Sequence, residues 1–143
     1  MTPKPPDQTQ QLATVRPRLV DEELTGQVIG AFYTVYNKLG YGFRESVYSR
    51  ALTIELRHCG LRVEREVSFT VYYDGEVVGR YRIDHLVEGR LVLEIKAGKS
   101  LSPTDRDQLL NGLRASDHEV GLLFHFGPRP SFYRVVAENE RLK

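Results

Sequence analysis

The residue types best suited to chemistry lie in one short segment that ends at Lys96. Asp84 stands ten positions before the first residue of the triplet Glu94-Ile95-Lys96. Successive side chains of a strand point to opposite faces, so Glu94 and Lys96 share one face of the apolar run from Leu91 to Ala97. Two opposite charges in an otherwise buried strand are costly unless they are paired or bind a metal. The segment therefore predicts a metal site.

The turn between the two strands decides whether the carboxylates meet. Glu88-Gly89-Arg90 joins a strand ending near Val87 to one beginning near Leu91. A three-residue loop with its glycine in the left-handed region pairs Val87 with Leu91. Counting back along both strands then places Asp84 opposite Glu94 on one face. A two-residue loop would shift the register by one and separate these carboxylates, so the site requires the three-residue turn.

The sequence on either side of this segment predicts a definite order of helices and strands. Apolar residues at helical spacing predict two helices first, and period-two runs predict strands afterwards. The serine, proline and acid of Ser102-Pro103-Thr104-Asp105 predict the start of another helix. The order is ααβββαββ, an α/β sandwich with a mixed sheet. The predicted elements are helices from Asp21 to Gly40 and from about Val47 to Gly60, strands Val63 to Tyr73, Glu76 to Val87 and Leu91 to Ala97, a helix from Ser102, and strands Glu119 to Phe126 and Phe132 to Val136.

The length and composition of the chain limit its class. The 143 residues suffice for one domain with a real core, and we predict a disordered tail over 1–20, a domain over 21–137 and a tail over 138–143. The formal net charge of +1 does not indicate a generally basic nucleic-acid binder, so any such surface is local. One cysteine excludes an internal disulfide, and no segment suits a signal peptide or a membrane span. We predict a cytoplasmic protein.

The element order and several motifs resemble the PD-(D/E)xK nuclease superfamily, whose core is a helix, a three-strand meander, a helix and a further strand. Within it, Gly42-Phe43-Arg44-Glu45-Ser46-Val47-Tyr48 is similar to the signature of the small GxxExxY proteins. Asp84, the Glu94-Ile95-Lys96 triplet and Gln108 fall where that family has its nuclease-like motifs. The resemblance covers roughly Glu22 to Val136 and implies a restriction-endonuclease-like α/β fold.

Two positions depart from the pattern of that superfamily. His85 follows the aspartate where an apolar residue is usual. Gly112 stands four residues after Gln108, where an aromatic residue is frequent. The second departure concerns how Gln108 is supported.

The leading hypothesis is a metal-dependent nuclease that hydrolyses phosphodiester bonds in DNA, although the sequence does not distinguish DNA from RNA. The resemblance implies a 5′-phosphate product. The metal ligands would be the carboxylates of Asp84 and Glu94 and the backbone carbonyl of Ile95. Glu45 would add a carboxylate from the second helix. Such hard oxygen ligands suit Mg²⁺ or Mn²⁺.

The remaining site residues have catalytic, binding or supporting roles on the same resemblance. Lys96 would orient or help deprotonate the attacking water and stabilise the charge of the phosphorane. Gln108 would hold the water or a ligand by hydrogen bonding, and Tyr48 and Gly89 would support the site. The basic residues expected around it as a phosphate-binding rim are Arg80, Arg82, Lys99, Arg106 and Arg114.

Each assignment has a simpler structural alternative. Glu94 and Lys96 alone are compatible with a surface ion pair. Glu45 fits a first-turn acid that complements the helix dipole, and Tyr48 fits a core residue. Gln108 alone fits an ordinary polar helix residue.

The chain as a whole also has alternatives. One is a non-catalytic nuclease-fold module that binds nucleic acid or a protein partner, and the weak net charge favours dependence on a partner or a homodimer. A glycosidase with two carboxylates is another, but an aspartate and a glutamate this close to a lysine fit metal–phosphate chemistry better.

Overall fold

The computed structural model describes residues 22–138 of the chain as three helices and five strands. The predicted order ααβββαββ is confirmed. The predicted tails, 1–20 and 138–143, lie outside the described residues except for Glu138. No helix among residues 22–138 has the length and apolar character needed to cross a membrane. The elements are α1 (Glu22–Leu39), α2 (Glu45–His58), β1 (Val63–Tyr73), β2 (Glu76–Val87), β3 (Leu91–Ala97), α3 (Pro103–Ser116), β4 (Val120–Phe126) and β5 (Pro130–Val136).

The five strands form one mixed sheet whose order follows the sequence, β1-β2-β3-β4-β5. Strands β3 and β4 are parallel and are joined through α3, whereas the other neighbours are antiparallel. Strand β5 begins at Pro130, two residues before the predicted start at Phe132. Pro130 pairs with Phe126 at the first position of an outer strand, where a missing N–H donor costs little.

Helices cover both faces of the sheet and bury two apolar clusters. On one face α1 and α2 pack on the sheet, with the Phe32 ring stacked on Phe124 at 4.3 Å and the Tyr48 ring stacked on Phe126 at 4.1 Å. On the other face α3 packs Leu109 against a smaller cluster. The face that carries Glu94 and Lys96 is therefore the face under α3, because they alternate with the side chains that meet α1 and α2.

Helix α3 begins with the capping box that its sequence predicts. The Ser102 hydroxyl accepts a hydrogen bond from the Thr104 amide at 3.1 Å, and Pro103 occupies the first turn. In return the Ser102 amide donates to Oδ2 of Asp105 at 2.9 Å. These bonds satisfy amide groups at the helix start and fix the Asp105 side chain.

The turn between β2 and β3 has the predicted three residues. Val87 pairs with Leu91, and Gly89 has φ +69°, in the left-handed region. Glu88 also has a positive φ of +54°, which the sequence does not indicate. The β2–β3 ladder runs only as far as the pair His85↔Leu93, so the strands stop pairing just before Asp84 and Glu94.

Strand β1 is an edge strand of the described sheet and is irregular in two places. Its pairing with β2 passes from Arg65↔His85 to Val67↔Ile83, and the residue between, Glu66, has φ +54°. Glu66 therefore stands across from Asp84 in a distorted part of the ladder. A second irregularity shifts the register between Val71 and Tyr72.

Candidate active site

Asp84 and Glu94 stand at the point where β2 and β3 separate. Continuing the register from His85↔Leu93 sets these two acids opposite each other, on the face covered by α3. The Asp84 carboxylate accepts a hydrogen bond from the Ile95 backbone amide, so its side chain bridges the gap between the strands. Burial raises the pKa of Asp84, although the charges of Lys96 and Arg82 and the Ile95 hydrogen bond lower it.

The backbone of Ile95 faces the same gap. The amide and carbonyl of one strand residue point to the same edge of the strand, because antiparallel partners exchange both bonds. The Ile95 amide is directed at Asp84, so its carbonyl also lies on the β2 side, beyond the last ladder pair. The Ile95 carbonyl oxygen therefore faces the side of β3 on which Asp84 stands.

Glu94 is the most perturbed carboxylate of the site. Burial and then the negative charge of Asp84 raise the pKa of Glu94 to about 7, against the opposing effect of Lys96. The charges of Glu45 and Asp105 raise it further. Glu94 thus shares its surroundings with more negative than positive charge, an arrangement that a bound cation would relieve.

Lys96 lies between two acids on different elements. Its Nζ is 3.7 Å from Oε2 of Glu94 and 3.8 Å from Oδ1 of Asp105. Asp105 was not among the predicted site residues. Its place in the capping box is readable from sequence, but its second oxygen meets Lys96 only because α3 lies across this end of β3.

Glu45 lies in the first turn of α2 and interacts electrostatically with Lys96 and Asp84. Its side chain is exposed. Partial desolvation is the largest effect on the pKa of Glu45 and raises it; the charge of Lys96 lowers this pKa, and the charge of Asp84 raises it. Among residues 22–138, however, no three His, Cys, Asp or Glu side chains are arranged as a ready metal site. Convergence of Glu45 with the other two acids therefore stays a prediction.

The donor set suits a hard divalent cation. Two carboxylates of raised pKa stand near each other at this end of β2 and β3, and carboxylate and carbonyl oxygens are the ligands that Mg²⁺ and Mn²⁺ prefer. Because a backbone carbonyl can take the place of a third acidic side chain, two acids plus Ile95 can act together as ligands. Asp84, Glu94 and Ile95 would be the residues that hold the ion.

A cleft of about 270 Å³ lies beside Glu94, between β2 and α3. Gln108 lines it with an exposed side chain, as does Arg82 from β2. Gly112 also lines the cleft, and a Cβ there would lie 3.5 Å from the Ile83 side chain. This is an ordinary van der Waals distance, so a side chain at position 112 would begin in contact with Ile83 at the cleft wall.

The predicted basic rim is divided between two sides of α3. Arg82 lines the cleft beside Glu94, and Arg80 is exposed on the same strand. Lys99 is exposed just after β3. Arg106 lies on the opposite flank of α3, with its guanidinium 4.8 Å from the centre of the Tyr133 ring.

Tyr48 is a buried residue that hydrogen-bonds to the turn between α1 and α2. It is fully buried, its hydroxyl donates to the Gly40 carbonyl, and it accepts from the Phe43 amide at 3.2 Å. These bonds fix the glycine-rich turn between α1 and α2, which sets where Glu45 begins its helix. Tyr48 is therefore a buried residue that anchors this turn, and its support of the site stays a prediction.

His85 points away from the candidate site and into the face covered by α2. It is fully buried, and its Nε2 lies 3.1 Å from the Thr53 hydroxyl and 3.3 Å from the Ser49 hydroxyl. Nδ1 has no hydrogen-bond partner among the described residues. Burial lowers the pKa of His85 to about 4, so the imidazole is uncharged at neutral pH. A neutral ring can occupy this buried position, where an apolar residue is usual, and its Nε2 makes the polar contacts with α2.

Comparison with known proteins identifies the fold and the superfamily of the chain. No curated protein matches the chain significantly. The crystal structure of SSO0001 superposes with a TM-score of 0.55 at 23% identity, over 68% of this chain and 52% of that one. The chain thus spans about half the length of that structure, and the likeness concerns the fold. A family model described as the PD-(D/E)XK nuclease superfamily matches residues 22–135, nearly all of the described residues, and the chain belongs to that superfamily.

Proposed function

We propose that the protein is a metal-dependent nuclease that hydrolyses phosphodiester bonds in DNA. The observation that carries this proposal is the placement of Lys96 Nζ 3.7 Å from the Glu94 carboxylate, with Asp84 near enough for its charge to raise the pKa of Glu94. In a chain of the nuclease superfamily, this arrangement supports a divalent ion and a catalytic cation side by side. We also propose that the chain belongs to the GxxExxY family, that the protein is cytoplasmic, and that it acts as a homodimer or with a protein partner.

The residues that would hold Mg²⁺ or Mn²⁺ are Asp84, Glu94 and the Ile95 carbonyl, with Glu45 as a further ligand. When bound, the ion supplies Lewis acidity toward a phosphate oxygen and lowers the pKa of water. Because Glu94 has a pKa of about 7, loading below neutral pH also requires loss of its proton.

The reaction needs few protein groups beyond these ligands. The water oxygen forms a bond to phosphorus and the bond from phosphorus to the 3′ oxygen breaks, which leaves a 5′-phosphate and a 3′-hydroxyl. The attacking water releases its proton to solvent, and the 3′ oxygen takes up a proton from solvent. Lys96 Nζ donates hydrogen bonds that orient the water and stabilise the extra negative charge of the phosphorane. Gln108 would hold the water from the cleft wall.

The phosphate backbone needs positive charge beside the cleft. Arg82 would contact a phosphate beside the reacting one, because it lines the cleft with Glu94. Arg80 and Lys99 would extend the same track, since both are exposed on elements that border the site. Arg106 would contact a strand only on the far flank of α3.

The test is cleavage of labelled single- and double-stranded DNA and RNA with Mg²⁺, Mn²⁺ or EDTA. We expect metal-dependent cleavage of DNA by the wild type and a loss of at least about 100-fold in Lys96→Ala, because a catalytic charge is removed without core volume. Lys38→Ala, an exposed lysine in the last turn of α1, is the matched control and should cleave normally. Equal turnover of Lys96→Ala and wild type would contradict the role of Lys96.

A second candidate is a nuclease-fold module that binds nucleic acid without turnover. The observation that favours it is the lack of a ready three-residue metal site among the acids and histidines of residues 22–138. The same experiment separates the two functions. A retained band shift without product, at every metal tested, supports the binding module.

A further inference from the structure

We propose that Asp105 is a positioning residue that holds the Lys96 ammonium away from the Glu94 carboxylate. This inference rests on the proposed nuclease function and adds a residue outside the metal and catalytic set. Asp105 belongs to α3, whereas both residues it acts on belong to β3. The contact therefore connects the start of a helix to the catalytic strand.

The two ion pairs of Lys96 are nearly equal in length. Nζ lies 3.7 Å from Glu94 and 3.8 Å from Asp105, and both distances exceed that of a good hydrogen bond. The side chains of Lys96, Glu94 and Asp105 are 25%, 17% and 19% exposed, so solvent screens these charges only in part. The ammonium is thus shared between two anions and bound tightly by neither.

Without Asp105, the described residues leave Glu94 as the one acid within 4 Å of Lys96. Lys96 would then close on Glu94 and occupy the oxygens that a cation needs. A lysine side chain has four flexible carbons and moves readily toward the nearest anion. A second anion on the opposite side keeps Nζ available for water and phosphate.

The capping box fixes the orientation of Asp105. Its Oδ2 accepts the Ser102 amide at 2.9 Å, which leaves Oδ1 facing Lys96. Rotation of the carboxylate would break the cap, so the helix start itself holds the anion in place. Asp105 therefore has two separable functions, one for each oxygen.

Three variants separate these functions. Asp105→Asn keeps a carbonyl oxygen for the Ser102 amide but removes the charge that faces Lys96. Asp105→Glu keeps the charge, and glutamate is the usual third residue of a capping box. Ser102→Ala weakens the cap from its other partner and leaves the carboxylate facing Lys96. All three are compared with wild type in steady-state DNA cleavage with Mn²⁺, in DNA binding in EDTA, and in thermal melting.

We expect Asp105→Asn to lower kcat by about tenfold or more with KM and DNA binding nearly unchanged, because a misplaced catalytic group slows the chemical step. Asp105→Glu should recover most of that loss. Ser102→Ala should melt earlier than wild type yet keep kcat within about twofold, because its weaker cap lowers stability without changing the charge beside Lys96.

Two results would overturn the inference while leaving the proposed function intact. One is an Asp105→Asn protein with wild-type kcat, and the other is a Ser102→Ala protein with the same loss of kcat as Asp105→Asn, which would assign the effect to the cap. If wild type itself does not cleave any substrate with metal, the proposed nuclease function fails first, and the positioning role fails with it.

Discussion

Glu94 combines burial with an excess of neighbouring negative charge. A pKa raised from 4.5 to about 7 means that the folded protein holds a proton which the unfolded chain has already released in this range. Protons bound more strongly by the folded state favour folding at low pH. The stability contributed by protonated Glu94 is therefore fully present below about pH 4.5 and is lost as the pH rises through about 7.

We predict that Glu94→Gln removes this dependence in the metal-free protein. The amide is neutral at every pH and nearly the same shape, so in EDTA the variant should gain Tm relative to wild type between pH 5 and about 7.5. The measurement is the difference in Tm between the two proteins at half-unit steps of pH. A difference that stays constant across this range would show that Glu94 has an ordinary pKa in the folded protein.

At the residue scale, the sequence predicts the shared face of Glu94 and Lys96 because alternation along a strand is a property of the backbone. It does not predict the contact with Asp105, which depends on how α3 crosses the sheet. Nor does it predict the positive φ of Glu66, since glutamate carries no preference for that conformation. Contacts between distant elements and backbone distortions at ordinary residues are the parts that sequence patterns miss.

At the scale of elements, the meander follows directly from its turns. The bounds of β1, β2 and β3 agree with the prediction because Asp74-Gly75 and Glu88-Gly89-Arg90 mark both turns. The start of β5 is obscured by the neighbouring glycine and prolines, which resemble a break but also occur at the first position of an edge strand.

The β2–β3 turn positions the carboxylates, and Gly89→Val tests this link. A β-branched residue resists the φ of +69°, so we expect destabilisation of about 1–2 kcal/mol together with weaker Mn²⁺ binding. Gly75→Val is the matched control, because Gly75 has φ +81° in the outer turn of the same meander and, as at Gly89, an added Cβ would meet no atom within 4 Å. Both variants should lose Tm, and only Gly89→Val should lose Mn²⁺ affinity by calorimetric titration. Equal metal affinity in the two folded variants would contradict the link.

At the scale of the whole molecule, one cation would connect β2 and β3 and, through Glu45, the helix layer behind them. Binding to the folded state alone stabilises it by about 2.7 kcal/mol when the ion concentration is about 100 times Kd. The Tm shift on adding metal therefore reports which side chains bind the ion.

We predict that Asp84→Asn melts at the same temperature as wild type or higher in EDTA. Burial already disfavours the charge of Asp84, and an asparagine oxygen can still accept the Ile95 amide. Millimolar Mn²⁺ should raise the Tm of wild type and raise that of the variant much less. Asp107→Asn, an exposed acid on α3, should respond to Mn²⁺ as wild type does. Identical shifts in wild type and Asp84→Asn would remove Asp84 from the ligand set.

The two irregularities of β1 also bear on self-association. An exposed edge strand offers unpaired amides and carbonyls to any other extended chain, and long flat edges template aggregates. Strand β1 spans Val63–Tyr73, but the left-handed Glu66 and the register shift after Val71 divide it. The longest regular stretch left for an incoming strand is Val67 to Val71, between these two positions. The distortion that stands across from Asp84 therefore also shortens the surface on which another chain could polymerise.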